Sequence, residues 1–176
     1  TNLPNYKLLY NNSLEILNDK TRIPYASAMG DYYYNFWKDE NNTRGIYRRT
    51  TLAEYKKPEP KWETVLDVDA LAKAENENWV YKGMNCYYPA YERCIVSLSR
   101  GGADATVIRE FNLKTKSFVD GGFELPEAKS SISWYDDNHL FVGTDFGEGS
   151  LTDSGYPRIV KLWQRGKDIN TAKTIY

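Results

Sequence analysis

The sequence is poor in the residues that carry most nucleophilic and metal chemistry, with one His, His139, and two Cys, Cys86 and Cys94, among 176 residues. A single His leaves at most one imidazole base for a serine or cysteine nucleophile. Two thiols cannot build the multi-bridge framework of a small secreted domain, and alone they make a poor zinc site. Neither sign of charge predominates: 23 Lys and Arg stand against 24 Asp and Glu, a formal net charge of -1. There is no bulk basic field for a phosphate backbone and no acidic tail, so no nucleic-acid partner is expected. No run approaches the roughly 18 apolar residues of a membrane span, and no membrane partner is expected.

What the chain has in quantity is aromatic rings, with 15 Tyr, 6 Phe and 5 Trp. Flat rings pack well across the strands of pleated sheets, and this composition suits β structure better than a helical bundle. The length is that of one domain with a real core, or of part of a larger one. Cys86 and Cys94 flank residues 87–93, and a turn at Pro89 and Ala90 would set them opposite each other on a hairpin, where a disulfide is geometrically conceivable. Free Cys is commonly buried, and reduced, packed thiols are the expectation. The opening Thr-Asn-Leu-Pro-Asn-Tyr has no charged start followed by an apolar stretch. No signal peptide is expected, and the compartment reads as cytoplasmic with the periplasm as the alternative. Two sequons, at Asn11 and Asn41, are accounted for by the abundance of Asn.

Along the chain, Tyr6, Leu9, Tyr10, Leu14 and Leu17 recur at steps of three and four, which predicts one short amphipathic helix. After Pro24 the texture changes to short apolar or aromatic runs separated by Gly, Asn, Asp and Pro, the pattern of successive strands and turns. An Ala-rich stretch at 67–77 interrupts it and predicts a turn or two of helix capped by Asp67 or Asp69. A weak internal repeat underlies the strands. One unit places strands at 79–81, 94–98, 106–111 and 117–119, and the next at 132–134, 140–143, 158–163 and 174–176. Matching strands lie about 45 to 57 residues apart, near the period of a propeller blade. A looser unit has strands at 23–28, 32–37, 45–51 and 62–67. The predicted fold is all-β, about three four-stranded antiparallel blades of an incomplete β-propeller behind a short N-terminal helix. The boundaries are a helical lead-in at 1–22 and a partial propeller at 23–176, with blades at about 23–68, 78–120 and 123–176. Propellers generally close with four to eight blades, so three imply a piece of something longer or another way of stacking.

No catalytic, cofactor-binding or metal-binding residue is predicted within the chain. His139 follows Asp136-Asp137-Asn138 at a polar turn leading into an apolar strand, the place of an ordinary turn or strand-edge residue. There is no Gly-x-Ser-x-Gly elbow to present a nucleophilic serine. Gly101-Gly102 follows no phosphate-loop spacing and opens no helix, so it reads as a tight turn with Gly at positive φ. The Gly- and acid-rich residues 143–155 lack EF-hand spacing and read as a long loop between strands. The acid pairs Asp67/Asp69 and Asp136/Asp137 read as capping or solvated groups, and Tyr32-Tyr33-Tyr34, Phe36 and Trp37 as core rings rather than a stacking platform.

Several strings taken together resemble one family. They are Tyr47-Arg48-Arg49-Thr50 with Trp62-Glu63 downstream, Val96 through Asp104, Leu125-Pro126-Glu127-Ala128-Lys129-Ser130, and the run from Val142-Gly143-Thr144-Asp145-Phe146-Gly147 to Ser154-Gly155-Tyr156-Pro157-Arg158. Arg22-Ile23-Pro24-Tyr25 resembles the segment leading into a first blade. In this order they resemble the N-terminal, propeller-bearing part of the prolyl oligopeptidase family of serine peptidases, particularly its bacterial members. The resemblance implies a two-domain enzyme in which an α/β-hydrolase domain carries Ser, Asp and His. A seven-bladed propeller covers the active site and admits only short peptides, with cleavage after proline or, in some branches, basic residues. It also implies that the start of the inner strand before Ile132-Ser133-Trp134 approaches the substrate tunnel, a place that Lys129 occupies here. The expected function is thus that of a non-catalytic propeller fragment serving as a lid, inactive alone and needing no cofactor. Its expected partners are the missing blades, the α/β-hydrolase domain, peptide substrates in the full enzyme, and further copies of itself through exposed blade faces. The alternative is a stand-alone β-sheet module that pairs with another chain.

Overall fold

A computed structural model describes residues 3–19 and 21–176. Of the lead-in expected at 1–22, residues 1, 2 and 20 lie outside the described residues. The chain divides into two compact units, one through residue 69 and one from residue 70 onward.

The first unit opens with helix α1 (Tyr6–Leu17), at the bounds the three-and-four spacing predicts. Tyr6 and Tyr10 stack along it with centroids 6.1 Å apart, but none of its residues is buried. Strands β1 (Ser27–Met29), β2 (Tyr32–Trp37), β3 (Ile46–Thr51) and β4 (Glu63–Asp67) then form one antiparallel sheet in chain order. The aromatic run of β2 behaves as β-formers on a half-buried surface should: Tyr34 is buried, and its ring stacks 5.5 Å from that of Tyr47 on β3. A short helix α2 (Leu52–Tyr55) leaves β3 directly, with the Thr51 hydroxyl accepting the Glu54 N–H as its cap. Helix α3 (Val68–Glu75) follows β4 where the Ala-rich segment predicts a helix.

The second unit holds two sheets. The first contains β5 (Trp79–Cys86), β6 (Arg93–Arg100) and β7 (Thr106–Asn112), and its fourth place is shared by β8 (Ser117–Phe118) and β9 (Glu124–Ala128), both paired to β7. Residues 124–128, expected with the third repeat unit, therefore extend the second sheet. Between β8 and β9 the chain swings out around Glu110, whose backbone N–H still reaches the Phe123 carbonyl at 2.8 Å and whose carbonyl accepts the Val119 N–H at 3.0 Å. That excursion depends on glycine: Gly121 sits at φ 66, and a Cβ on Gly122 would fall 2.9 Å from Glu110 Oε2. The last sheet runs β10 (Ser131–Asp136), β11 (His139–Gly143), β12 (Lys161–Gln164) and β13 (Lys173–Thr174) in chain order, all antiparallel.

These two sheets share one core. Ile95, Ile108, Phe123 and Leu125 from the first meet Leu140, Val142 and Trp163 from the second. Phe123 is its hub, edge-on to Trp163 at 4.9 Å and to Trp134 at 6.0 Å. Burying a ring of that size contributes about 1.5–3 kcal/mol before any ring–ring term.

The cysteines depart from expectation, since Cys86 and Cys94 form a disulfide rather than reduced, packed thiols. The cause is register. They are directly opposite on β5 and β6, and opposite residues of an antiparallel pair project from the same face of the sheet. The hairpin beyond them is closed by Tyr87 N–H to the Arg93 carbonyl at 2.8 Å.

Candidate functional site

The single imidazole has a local partner. His139 Nδ1 lies 2.9 and 3.0 Å from the two carboxylate oxygens of Asp136, three residues earlier across the β10–β11 turn. Asp136 also accepts the Asn138 N–H at 2.8 Å. That backbone bond, with His139 behind it, holds the exposed Asp136 carboxyl below the usual carboxylate range. These contacts close a turn: every group in them lies within four residues. Asp137 contributes its carbonyl, which accepts from Arg93 at 3.1 Å and Arg165 at 3.0 Å.

The other acids are likewise committed to loops. Asp69 accepts the N–H groups of Arg44 and Gly45 at 3.1 and 3.2 Å and the Thr43 hydroxyl at 3.1 Å, so it clamps the β2–β3 loop. Residues 143–155 fold upon themselves. Asp145 accepts the Gly147 N–H, and the buried Ser150 hydroxyl accepts the Phe146 N–H while donating to the Gly147 carbonyl. Among the described residues no three His, Cys, Asp or Glu side chains converge in a way that would hold a metal. Gly101 and Gly102 take φ 66 and 90, the positive values of a tight turn between β6 and β7.

Lys129 stands where β9 passes into β10. Its Nζ donates to the Ser154 carbonyl at 2.8 Å, lies 3.7 Å from Asp104 Oδ2 and sits 4.4 Å from the Tyr156 ring centre. The Tyr156 hydroxyl closes the circuit by donating to Asp104 at 3.4 Å. Beside it, the Ser130 and Thr144 hydroxyls are 2.8 Å apart. Three separated strings, around 101–104, 125–130 and 142–158, thereby meet at one end of the two sheets. Asp104, Ser154 and Tyr156 lie in strings that carry the resemblance, but their loops are polar and aperiodic, so no local pattern predicts that they meet Lys129.

A second cluster lies in the first unit. Arg22, Trp37, Arg48 and Trp62 form one cluster, with the guanidinium carbons of Arg22 and Arg48 4.5 and 4.3 Å from the Trp37 ring centre and that of Arg48 4.4 Å from the Trp62 ring centre. Arg48 Nε donates to Asn35 Oδ1 at 3.0 Å, and the buried Asn35 donates onward to the Tyr25 carbonyl at 2.7 Å. Each member belongs to a string visible in the sequence, but strand register is needed to place Trp37, Arg48 and Trp62 side by side.

The family model described as the prolyl oligopeptidase N-terminal β-propeller domain matches residues 1–176. An uncharacterized peptidase, y4nA, of Sinorhizobium fredii is 40% identical over 174 residues, covering 98% of this chain and 24% of its own. Another, RP174, of Rickettsia prowazekii is 31% identical over 179 residues, covering 97% and 25%. The chain thus spans about a quarter of the length of the curated relatives it matches. Among solved structures, a post-proline cleaving enzyme from Rickettsia typhi superposes with TM-score 0.91 at 31% identity, covering 99% of this chain and 26% of that one. Oligopeptidase B from Leishmania major shares the fold at TM-score 0.69 and 17% identity, covering 97% and 23%. With three consecutive antiparallel sheets, two of four strands and one of five, and a family match from end to end, the chain belongs to the N-terminal β-propeller domains of the prolyl oligopeptidase family of peptidases.

Proposed function

We propose that the chain is the non-catalytic propeller part of a serine peptidase and acts there as a lid that restricts the active site to short peptides. The observation that carries this reading is the stacking of consecutive sheets through Phe123, Trp134 and Trp163 in a chain matched throughout by a peptidase propeller family. Sheets locked by such a core form a stiff wall, and a stiff wall in front of a buried nucleophile excludes folded proteins by size. The imidazole of His139 is spent on a turn with Asp136, which supports placing the catalytic chemistry outside these residues.

The partners of this reading are the remaining blades, an α/β-hydrolase domain and peptide substrates. Lys129 and its circuit with Asp104, Ser154 and Tyr156 would line the route to the nucleophile. The disulfide favours the periplasm over the cytoplasm expected from the N-terminal residues, because cross-linked thiols persist in oxidising surroundings. A specific observation also favours the interaction-module alternative: α1 exposes Leu8, Leu9, Leu14, Ile16 and Leu17, more apolar surface than a helix in water ordinarily shows.

The deciding experiment is turnover of a proline-containing peptide amide by this chain and by the product of the full reading frame that contains it. The longer protein should cleave the peptide and be silenced by an active-site serine reagent, while this chain should not cleave it. Reagent-sensitive turnover by the 176-residue chain after repurification, or none by the longer protein, would overturn the reading.

A further inference from the structure

We propose that the groove over the Arg22–Trp37–Arg48–Trp62 cluster binds the C-terminal carboxylate of an extended peptide, with Arg48 as the residue that grips it. The groove has a volume of about 790 Å³, and Pro24, Tyr55, Pro58 and Pro60 contribute apolar wall. That size falls within the usual range for a small-ligand site.

Arg48 is built to face a ligand. The guanidinium lies over the rings of both Trp37 and Trp62, and Nε is fixed by Asn35. No described residue accepts a hydrogen bond from its two Nη groups. The next residue shows the contrast, since Arg49 bonds the Glu63 carboxylate, as Arg109 bonds Glu75 and Arg165 bonds Glu110. Burial draws the Arg48 pKa down, and the field of Asp39 offsets this only in part. Asp39 is itself occupied by the Trp37 indole N–H at 2.9 Å, and Lys57 is paired with Glu54. A half-buried guanidinium with both Nη groups free is well matched to a carboxylate taken in two parallel bonds.

The rest of the groove selects what carries that carboxylate. Two guanidinium groups already lie over Trp37, which leaves a flat base or sugar less open ring there to stack upon. A small inorganic anion would leave the apolar walls uncovered. A peptide terminus satisfies both, setting its carboxylate on Arg48 and its preceding residues along the proline and tyrosine wall. Glu59, also in the wall, disfavours an acidic side chain next to that terminus. The choice of a peptide rests on the peptidase reading above. The anion site does not.

The test uses the 176-residue chain, calorimetry and two probes, acetyl-Ala-Ala-Pro with a free carboxylate and the same peptide as its amide, with inorganic phosphate as competitor. The acid should bind at least about tenfold more tightly than the amide, the worth of one charge-assisted pair. Arg48→Gln should erase that preference, whereas Arg48→Lys should keep part of it and would carry the test if the Gln variant failed to fold. Equal binding of acid and amide, binding of neither, or an unchanged preference in a folded Arg48→Gln chain would overturn the proposal. So would competition by phosphate at the peptide's own concentration, which would mark a general anion site. Because the readout is binding to this chain, its failure leaves the lid reading to be judged by turnover.

Discussion

The carboxylate of Glu110 on β7 receives both Nη groups of Arg165 from the turn after β12, at 2.5 and 2.9 Å, and also accepts the Phe123 N–H at 2.9 Å. Glu110 is 2% exposed, so the charge sits inside the protein between two sheets. Removing one partner should therefore cost far more than removing both. Arg165→Met leaves the anion stranded and should destabilise the second unit by about 3–5 kcal/mol, while Glu110→Leu combined with Arg165→Met should cost much less. Urea unfolding followed by tryptophan fluorescence checks this, and a single variant no weaker than the double would refute it.

The disulfide closes the β5–β6 hairpin at its turn end, where Cys86 and Cys94 are eight residues apart. A cross-link of so short a loop should contribute about 2–3 kcal/mol through the unfolded chain. Protein purified without reductant should show no free thiol to a thiol reagent until it is unfolded and reduced. Reduction should lower the urea midpoint, and Cys86→Ala with Cys94→Ala should reproduce the lower midpoint without reductant. Two titratable thiols in the unreduced protein would contradict the pairing.

How far the sequence could be read depended on the range of the interactions concerned. The α1 bounds and most strands follow from spacing along a few residues, as with Tyr6 to Leu17 and the ring-rich β2. Strand β9 escaped because Pro126 and two acids hide its alternation, and because it pairs with β7 across the excursion around Glu110. The fate of the thiols turned on register, which sets Cys86 opposite Cys94. The same holds for the candidate sites. The resemblance points to Lys129, but its contacts with Asp104, Ser154 and Tyr156 join loops that no local pattern links. Arg48 belongs to a string that carries the resemblance, while its place over both Trp37 and Trp62 depends on the pairing of β2, β3 and β4.

Tyr47 gives the first unit a signature at alkaline pH. Burial, with Tyr34 stacked beside it, pushes its phenol up to about 12. The ordinary value in an unfolded chain is about 10. A folded pKa above the unfolded one means that the fold favours the neutral phenol. The associated stability is complete below about pH 10 and is lost as pH rises toward 12. Absorbance at the phenolate band should show one late-titrating tyrosine that is absent in Tyr47→Phe, and the variant should resist alkaline unfolding to higher pH. Ionisation of all tyrosines in one step near the ordinary value would contradict this.

Helix α1 should govern association of the isolated chain. Leu9 and Ile16 are 64% and 69% exposed, and Leu8, Leu14 and Leu17 are exposed with them. In water such a helix gains by burying its leucines against a second copy. Mean mass by sedimentation should rise with protein concentration. Leu9→Glu with Ile16→Glu should hold the chain monomeric, and the urea midpoint of the sheets should stay put because no buried residue of α1 supports them. Association that persists undiminished in the double variant would move the contact from the helix to the faces and edges of the sheets, where unpaired strand groups offer the other route to self-pairing.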